Sequence, residues 1–396
     1  MRTHMLRIFG SFPAAAVLLA AALACGAVDV EQKIKNKSPA ELVTLLSNDD
    51  FELREGASSA LVKLGPDAKA AVEGGVGDSD PEVRFRCRRI LNSIAYNERF
   101  GRLEAFAADT DGKKGLTLPG WERYTKLIGS DKQSRRLFVD MQRAESALIE
   151  TAEKNPKTSS DLLVKRCQQL QQSMRYPQYG AGMHSVAAVL FLISDERVPM
   201  NDQVGMQLYN LCNQSAFRNA AEKGAEKTQL RVLLGAYIKR GGGRNTAYYR
   251  LMLAMRYDLK EGLDVAVEML TTSGMSHHYK QYAMLTIAKL DAKQHIGLLE
   301  KLLEDKSQCT AHTTVRNGKR TVYQTQVRDV ALASIIHLSG EDPKNFGFDR
   351  LVRANPYLFS PGTMGFENDE QRNKTFDKWK EHQANNKPDA KEAGDD

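Results

Sequence analysis

Twelve prolines, two tryptophans and five cysteines are thin shares of 396 residues, and each scarcity excludes something. So little proline rules out collagen-like and proline-rich rods. Five cysteines in a chain this long cannot make a disulfide scaffold. Beyond residue 30 the cysteines are Cys87, Cys167, Cys212 and Cys309, and none forms a C-x-x-C pair. Zinc-ribbon, thioredoxin-like and haem-attachment patterns therefore fail. No apolar run after the first thirty residues approaches eighteen, so no transmembrane helix is expected there. Gly-x-Ser-x-Gly, His-Glu-x-x-His and dinucleotide-binding glycine runs are missing too. No catalytic residue, metal ligand or cofactor site is assigned from the sequence.

What remains is ordinary globular material, with 42% hydrophobic and 27% charged residues. The charge balance is 56 Lys and Arg against 49 Asp and Glu, a net +7 that is diffuse rather than patched. Only Arg84, Arg86, Arg88 and Arg89 cluster, on the second repeat helix. A nucleic-acid footprint needs Lys and Arg gathered with little compensating acid, so no nucleic-acid partner is expected.

The first stretch reads as an address. Arg2 and Arg7 precede a twelve-residue apolar segment, Pro13 to Ala24, followed by small residues at Gly26 and Ala27. That is the three-part pattern of a secretory signal, with an apolar core too short to span a bilayer. Residues 1–26 are assigned to it. Ala22-Leu23-Ala24-Cys25 resembles a bacterial lipoprotein box, in which Cys25 would be lipidated; ordinary cleavage is the alternative. The expectation is an exported protein of the periplasm or cell envelope, soluble or tethered by lipid. Export would permit a disulfide, but nothing in the spacing selects a pair.

Self-similarity is the strongest internal signal. Asp50-Phe51-Glu52-Leu53-Arg54 aligns with Asp80-Pro81-Glu82-Val83-Arg84 at a period of 30. The match continues through Ala57 with Cys87, Ala60 with Ile90, Leu61 with Leu91 and Leu64 with Ile94. Apolar positions every three or four residues make each stretch an amphipathic helix. Gly65-Pro66 stops the first, and a short helix over 67–74 leads to the capping run Asp78-Ser79-Asp80. A second pair follows late in the chain. Leu263, Ala266, Met269 and Leu270 match Ile296, Leu299, Leu302 and Leu303 at a spacing of 33, whereas Ala283, Ile287 and Leu290 match Ala331, Ile335 and Leu338 at 48. The difference requires an insertion. Residues 309–324 are rich in Thr, Val and Tyr and are broken by Asn317-Gly318, the strongest short signal for a β-hairpin. Arg316, Asn317, Gly318, Lys319 and Arg320 at its tip are candidate contact residues.

These units resemble HEAT-type repeats, the helical pairs that stack into α-solenoids. The resemblance rests on the apolar-Arg steps Leu53-Arg54, Val83-Arg84 and Val327-Arg328 and covers about a third of the chain. It implies an all-α fold of stacked helical hairpins and a surface that binds another protein. It implies no catalytic residue.

The expected organisation is repeats over 29–98, a connecting loop over 99–120, a helical middle over 121–258 and repeats again over 259–340. An aromatic cap and terminal helix fill 341–384, and a polar, disordered tail 385–396. Within the middle, helices are expected over 131–154, 160–174, 186–193, 202–213, 228–239 and 246–257, with 186–193 the most buried.

Weaker site signals are outweighed by plainer readings. Asp109-Thr110-Asp111-Gly112 lacks the ligand spacing of a calcium loop and reads as a solvated turn. Arg240, Gly241, Gly242, Gly243 and Arg244 could cradle an anion before a helix, although a flexible interhelical loop explains them as well. His277-His278 and Cys309 with His312 lack further ligands. The leading expectation is an exported, non-catalytic binding or scaffold module. An enzyme or metal-dependent protein with its site in the middle region, or a structural envelope component, are the alternatives.

Overall fold

A computed structural model describes residues 30–173 and 182–386. The signal segment, Cys25 and the tail from 387 lie outside the described residues. The protein is all-α, with 17 helices and one two-stranded sheet among the described residues. It divides into two compact units, one ending at Asp109 and the other beginning at Thr110.

In the first unit the two segments that repeat in sequence start their helices with matching caps. The helices are α1 (Pro39–Thr44), α2 (Phe51–Leu64), α3 (Lys69–Gly75) and α4 (Pro81–Ala108). Asp50 caps α2 by accepting from the Glu52 amide at 2.9 Å, and Asp80 caps α4 by accepting from the Glu82 amide at 2.7 Å. Arg54 Nη1 donates back to the carbonyls of Asn48 (2.6 Å) and Asp49 (3.0 Å). Arg84 Nη1 does the same to Asp78 and Ser79, both at 2.7 Å. The repeat arginine thus closes its own capping loop. Helix α1 packs on α2 and α3, and α4 on α2 and α3. The shared core includes Leu42, Leu46, Ala57, Leu61, Val72, Cys87 and Ile90. A Cβ at Gly75 would sit on Cys87 Sγ, so this glycine sets how closely α3 approaches α4.

Two expectations are corrected here. Leu64 is exposed although Ile94, its repeat partner, is buried, because α2 turns out at Gly65 while α4 continues. The stretch expected as a loop from 99 is helix to Ala108. No proline interrupts it, one glycine is tolerated, and Leu103 and Phe106 continue the buried stripe. The connection is only 109–120.

The second unit contains α5 (Trp121–Ile128), α6 (Lys132–Lys154), α7 (Ser160–Ser173), α8 (Met183–Ile193), α9 (Asp202–Cys212) and α10 (Ser215–Lys223). They are followed by α11 (Lys227–Arg240), α12 (Arg244–Tyr257), α13 (Gly262–Thr271), α14 (His277–Lys289), α15 (Ile296–Glu300), α16 (Val327–Leu338) and α17 (Asp369–Asn385). Every residue from Ser185 to Ile193 is buried, as the unbroken apolar run demands. Helix α10 was not anticipated from the sequence. Alternate helices contact one another. In one row α6 packs on α8, α8 on α11 and α11 on α13; in the other α7 packs on α9, α9 on α12, α12 on α14 and α14 on α16. The rows meet through α11 with α12, α13 with α14 and α15 with α16.

The hairpin forms where expected, as β1 (Gln308–Arg316) and β2 (Lys319–Gln326). Asn317 and Gly318 carry φ of 49° and 75°, the left-handed pair a tight two-residue turn requires. Its point of insertion is informative. The Arg328 amide donates to the Asp305 carbonyl at 3.0 Å, across the hairpin, and Asp305 Oδ1 accepts from the Ser307 amide at 3.0 Å. Removing β1, the turn and β2 would make the first of these an ordinary helical bond four residues back. Asp305 therefore holds the position relative to its helix that Asp50 and Asp80 hold, and the hairpin is inserted between this cap and helix α16.

Beyond α16 the chain is irregular to residue 368, with Phe346, Phe348, Phe359 and Phe366 buried. Helix α17 is fastened by Arg372. It donates to Asp329 Oδ1 at 2.8 Å and to the Gln324 carbonyl at 3.0 Å, and it pairs with Asp369.

Candidate functional site

The residues singled out from the sequence do not converge. The hairpin tip is exposed at Lys319 and Arg320, with Val315 (71% exposed) beside Arg320 in the register; Arg316 ends β1. The hairpin base is held to the cap by Thr325 Oγ1 donating to the Pro361 carbonyl at 3.1 Å and by the bridge between Gln324 and Phe366.

At the glycine loop 241–243 the neighbouring groups are already engaged. Arg240 turns back to donate to the Val198 carbonyl and to Met200 Sδ. Asp202 Oδ1 lies 2.9 Å from the Cβ position of Gly243, so a carboxylate already faces the start of α12. Arg244 is the first residue of that helix.

The four cysteines are free and buried. Burial pushes the Cys167 and Cys309 thiols up to about 12 and raises Cys87 and Cys212, so none is a thiolate nucleophile near neutrality. His278 Nδ1 lies 3.1 Å from Gln281 Nε2, and no group of three His, Cys, Asp or Glu side chains is arranged for a metal among the described residues.

In the middle region the carboxylates that approach each other are charge-neutralised. Glu153 and Asp195 share Arg123 (2.5 and 3.5 Å) and Arg197 (3.5 and 2.7 Å). Burial opposes ionisation of Asp195, but its arginine partners hold its carboxyl below the usual range. This is a structural network rather than an acid–base pair.

The arginine cluster on α4 also divides. Arg84 closes its loop, and Arg86 is buried between Glu55 and Glu82, both at 2.7 Å. Only Arg88 and Arg89 face outward, in an open groove of about 710 Å³ with Val62, Phe85 (61% exposed) and Tyr96 (63% exposed).

Sequence reasoning missed the largest cluster. Tyr209 on α9, Tyr248 and Tyr249 on α12, Tyr279 and Tyr282 on α14 and Tyr357 of the cap form one aromatic group on the second row. Ring centroids lie 5.7 Å apart for Tyr209–Tyr249, 4.8 Å for Tyr248–Tyr279, 5.6 Å for Tyr248–Tyr282 and 5.4 Å for Tyr282–Tyr357. Tyr279 is exposed and the others are half-buried. Partial burial, then the neighbouring phenols, raise Tyr248, Tyr282 and Tyr357, so their hydroxyls stay protonated as donors. No side chain or carbonyl among the described residues accepts from them.

Tyr357 also borders a cleft of about 590 Å³. Its walls carry Lys227, Arg231, Arg256, Lys289 and Arg353 against Glu222 and Asp258, a net of three positive charges. Lys289 is committed to the fold: it pairs with Asp258 at 2.9 Å and donates to the carbonyls of Met255 and Pro356. Arg231 donates to the Asp258 carbonyl at 3.3 Å. Lys227 and Arg256 have no carboxylate partner among the described residues.

Only tertiary stacking assembles these groups. Their single trace in the sequence is Tyr279 and Tyr282, one helical turn apart.

Compared with known protein families, with curated proteins and with solved structures, the chain finds no match. No described helix is long and apolar enough to cross a membrane.

Proposed function

We propose that the chain is an α-solenoid of HEAT-like helical pairs acting, after export to the cell envelope, as a non-catalytic module that binds another protein. The observation that carries this reading is the recurrence of one capping arrangement. Asp50, Asp80 and Asp305 each receive the amide two residues on and accept from an arginine amide, that of Arg54, Arg84 or Arg328. Each time the helix that follows packs as the second member of a pair. Alternate rows of helices in the second unit support the same reading. Stacked pairs bury one continuous core and leave each row's outer face free for a partner.

The tyrosine cluster lies on the second row and in the cap, and the cationic cleft opens where α10 and α11 meet the ends of α12 and α14 and the cap; together they support this side as the binding face. The hairpin offers a further contact through Lys319 and Arg320.

Photo-crosslinking in intact cells tests the reading. A photoreactive residue at Tyr279, on the second row, should give one discrete adduct; the same residue at Glu268, exposed on the first row, should give none. Shortening the hairpin from Thr314 to Thr321 should weaken the adduct without lowering helical circular dichroism. Turnover in a hydrolase screen, or stoichiometric metal by elemental analysis, would overturn it. Fractionation of the native chain against Cys25→Ala tests the lipid tether.

A further inference from the structure

We infer that the cationic cleft and the tyrosine cluster, joined at Tyr357, form a single docking site for an extended acidic peptide segment of the partner protein. The inference rests on the binding-module reading and names the chemistry of the partner. Three observations point the same way.

The first is charge. Among the described residues Lys227 and Arg256 have no carboxylate partner and Arg231 spends one bond on a carbonyl, so the wall, even with Glu222 and Asp258, carries an excess of cationic donors. Carboxylates are the complementary groups, and they bind guanidinium well because its planar fork matches their geometry.

The second is the tyrosine cluster. Its rings lie 4.8 to 5.7 Å apart from neighbour to neighbour, so the phenols offer several donors to carboxylate or carbonyl oxygens, while the ring flanks take apolar side chains or proline. A cationic ligand would suit the rings but would meet Arg256 and Lys289 at their border.

The third is main chain. The cap segment Arg353–Leu358 lines the cleft, and the amides of Asn355 and Tyr357 donate to no acceptor among the described residues. Free amides beside an open cleft are what the carbonyls of an extended chain require. An inorganic anion would use the cations but leave the amides and ring flanks idle. A nucleic acid would need cations interleaved with the rings along its length; here they gather beyond Tyr357.

The probe is a fluorescein-labelled decapeptide of alternating glutamate and proline, titrated with the full chain by fluorescence polarisation; its glutamine–proline counterpart is the control. Saturable binding of the acidic peptide, absent for the control and weakened as sodium chloride rises, is expected. The double variant Arg231→Gln, Arg256→Gln should lose roughly tenfold in affinity. Tyr357→Phe, which keeps ring and charge, should lose a smaller factor, and Lys374→Gln, on α17 and not among the cleft's lining residues, should lose none. Equal binding of the control peptide, full affinity in the double variant, or no binding of the acidic peptide would overturn the inference. So would tighter binding of an acidic oligosaccharide of equal charge. If the peptide fails while the Tyr279 crosslink persists, the module stands and the acidic partner falls; loss of both removes both.

Discussion

Asp329 and Arg372 set up a test with opposite signs for its two partners. Asp329 is fully buried, its side chain accepting from Arg372 Nε and from the Gln326 amide, both at 2.8 Å. Burial outweighs both bonds and pushes the carboxyl up from 3.8 to about 6. The folded state therefore holds this proton more tightly than the unfolded chain. Below about pH 3 the acid is neutral in both states and its contribution is fully present. Between pH 4 and 6 the unfolded chain ionises first and that contribution drains away. The shift corresponds to about 3 kcal/mol, lost by pH 7. Asp329→Asn removes the titration, so wild type should fall by about 3 kcal/mol relative to this variant between pH 3 and 7. Arg372→Leu acts the other way, stranding a buried carboxylate and costing roughly 3–5 kcal/mol at pH 7. At pH 4.5, where Asp329 is protonated, that loss should shrink, and adding Asp329→Asn should recover most of it. Trp379 reports the event, because it is buried on α17 with its ring 5.0 Å from Phe346. Urea unfolding followed by Trp379 emission in a Trp121→Phe background, at several pH values, makes the measurement. A wild type that gains nothing over Asp329→Asn on acidification would refute the reasoning, as would Arg372→Leu costing under about 1 kcal/mol.

Arg54→Ala and Arg84→Ala each delete two charge-assisted bonds to loop carbonyls and should cost similar amounts, roughly 1–3 kcal/mol. Hydrogen exchange over residues 51–64 and 81–94 reads both, and a large effect at only one would break their equivalence. Gly318→Ala forces a side chain to φ 75° and should loosen β1 and β2 by about 1 kcal/mol, seen as faster exchange along both strands while α16 stays protected. Cys87, Cys167, Cys212 and Cys309 should resist iodoacetamide in the native chain at pH 8 and label on unfolding; peptide mapping that shows native labelling at the rate of a free thiol would contradict their burial.

Local features were legible in the sequence because local rules decide them. Asn317-Gly318 announces its turn through backbone sterics alone. Asp50 and Asp80 announce helix starts because a short acceptor two residues ahead fits only there. The run from Val186 to Ile193 admits no exposed face. The helix through residues 99–108 was missed because a polar stretch with one glycine resembles a linker, and only burial of Leu103 and Phe106 shows otherwise. Of the tyrosine cluster the sequence shows only Tyr279 and Tyr282, one helical turn apart. Its members span residues 209 to 357, and helix stacking, not spacing, brings their rings within 6 Å.

Arg328 shows how far a repeat signature can be trusted. Val327-Arg328 matches Val83-Arg84 in sequence, and its amide makes the matching bond, to Asp305. Its guanidinium does not. In Arg54 and Arg84 that group reaches carbonyls five and six residues back. At Arg328 the same count lands on Tyr323 and Val322, within β2, where the chain runs as a paired strand instead of a capping loop. The side chain turns instead to Gln326 Oε1 at 2.6 Å and Asp369 at 3.3 Å, and so helps fasten α17. The backbone role survives the insertion because the two ends of a hairpin are adjacent. The side-chain role is lost because its acceptors moved away along the strand. A splice that leaves the helix start intact also frees one arginine to hold the cap.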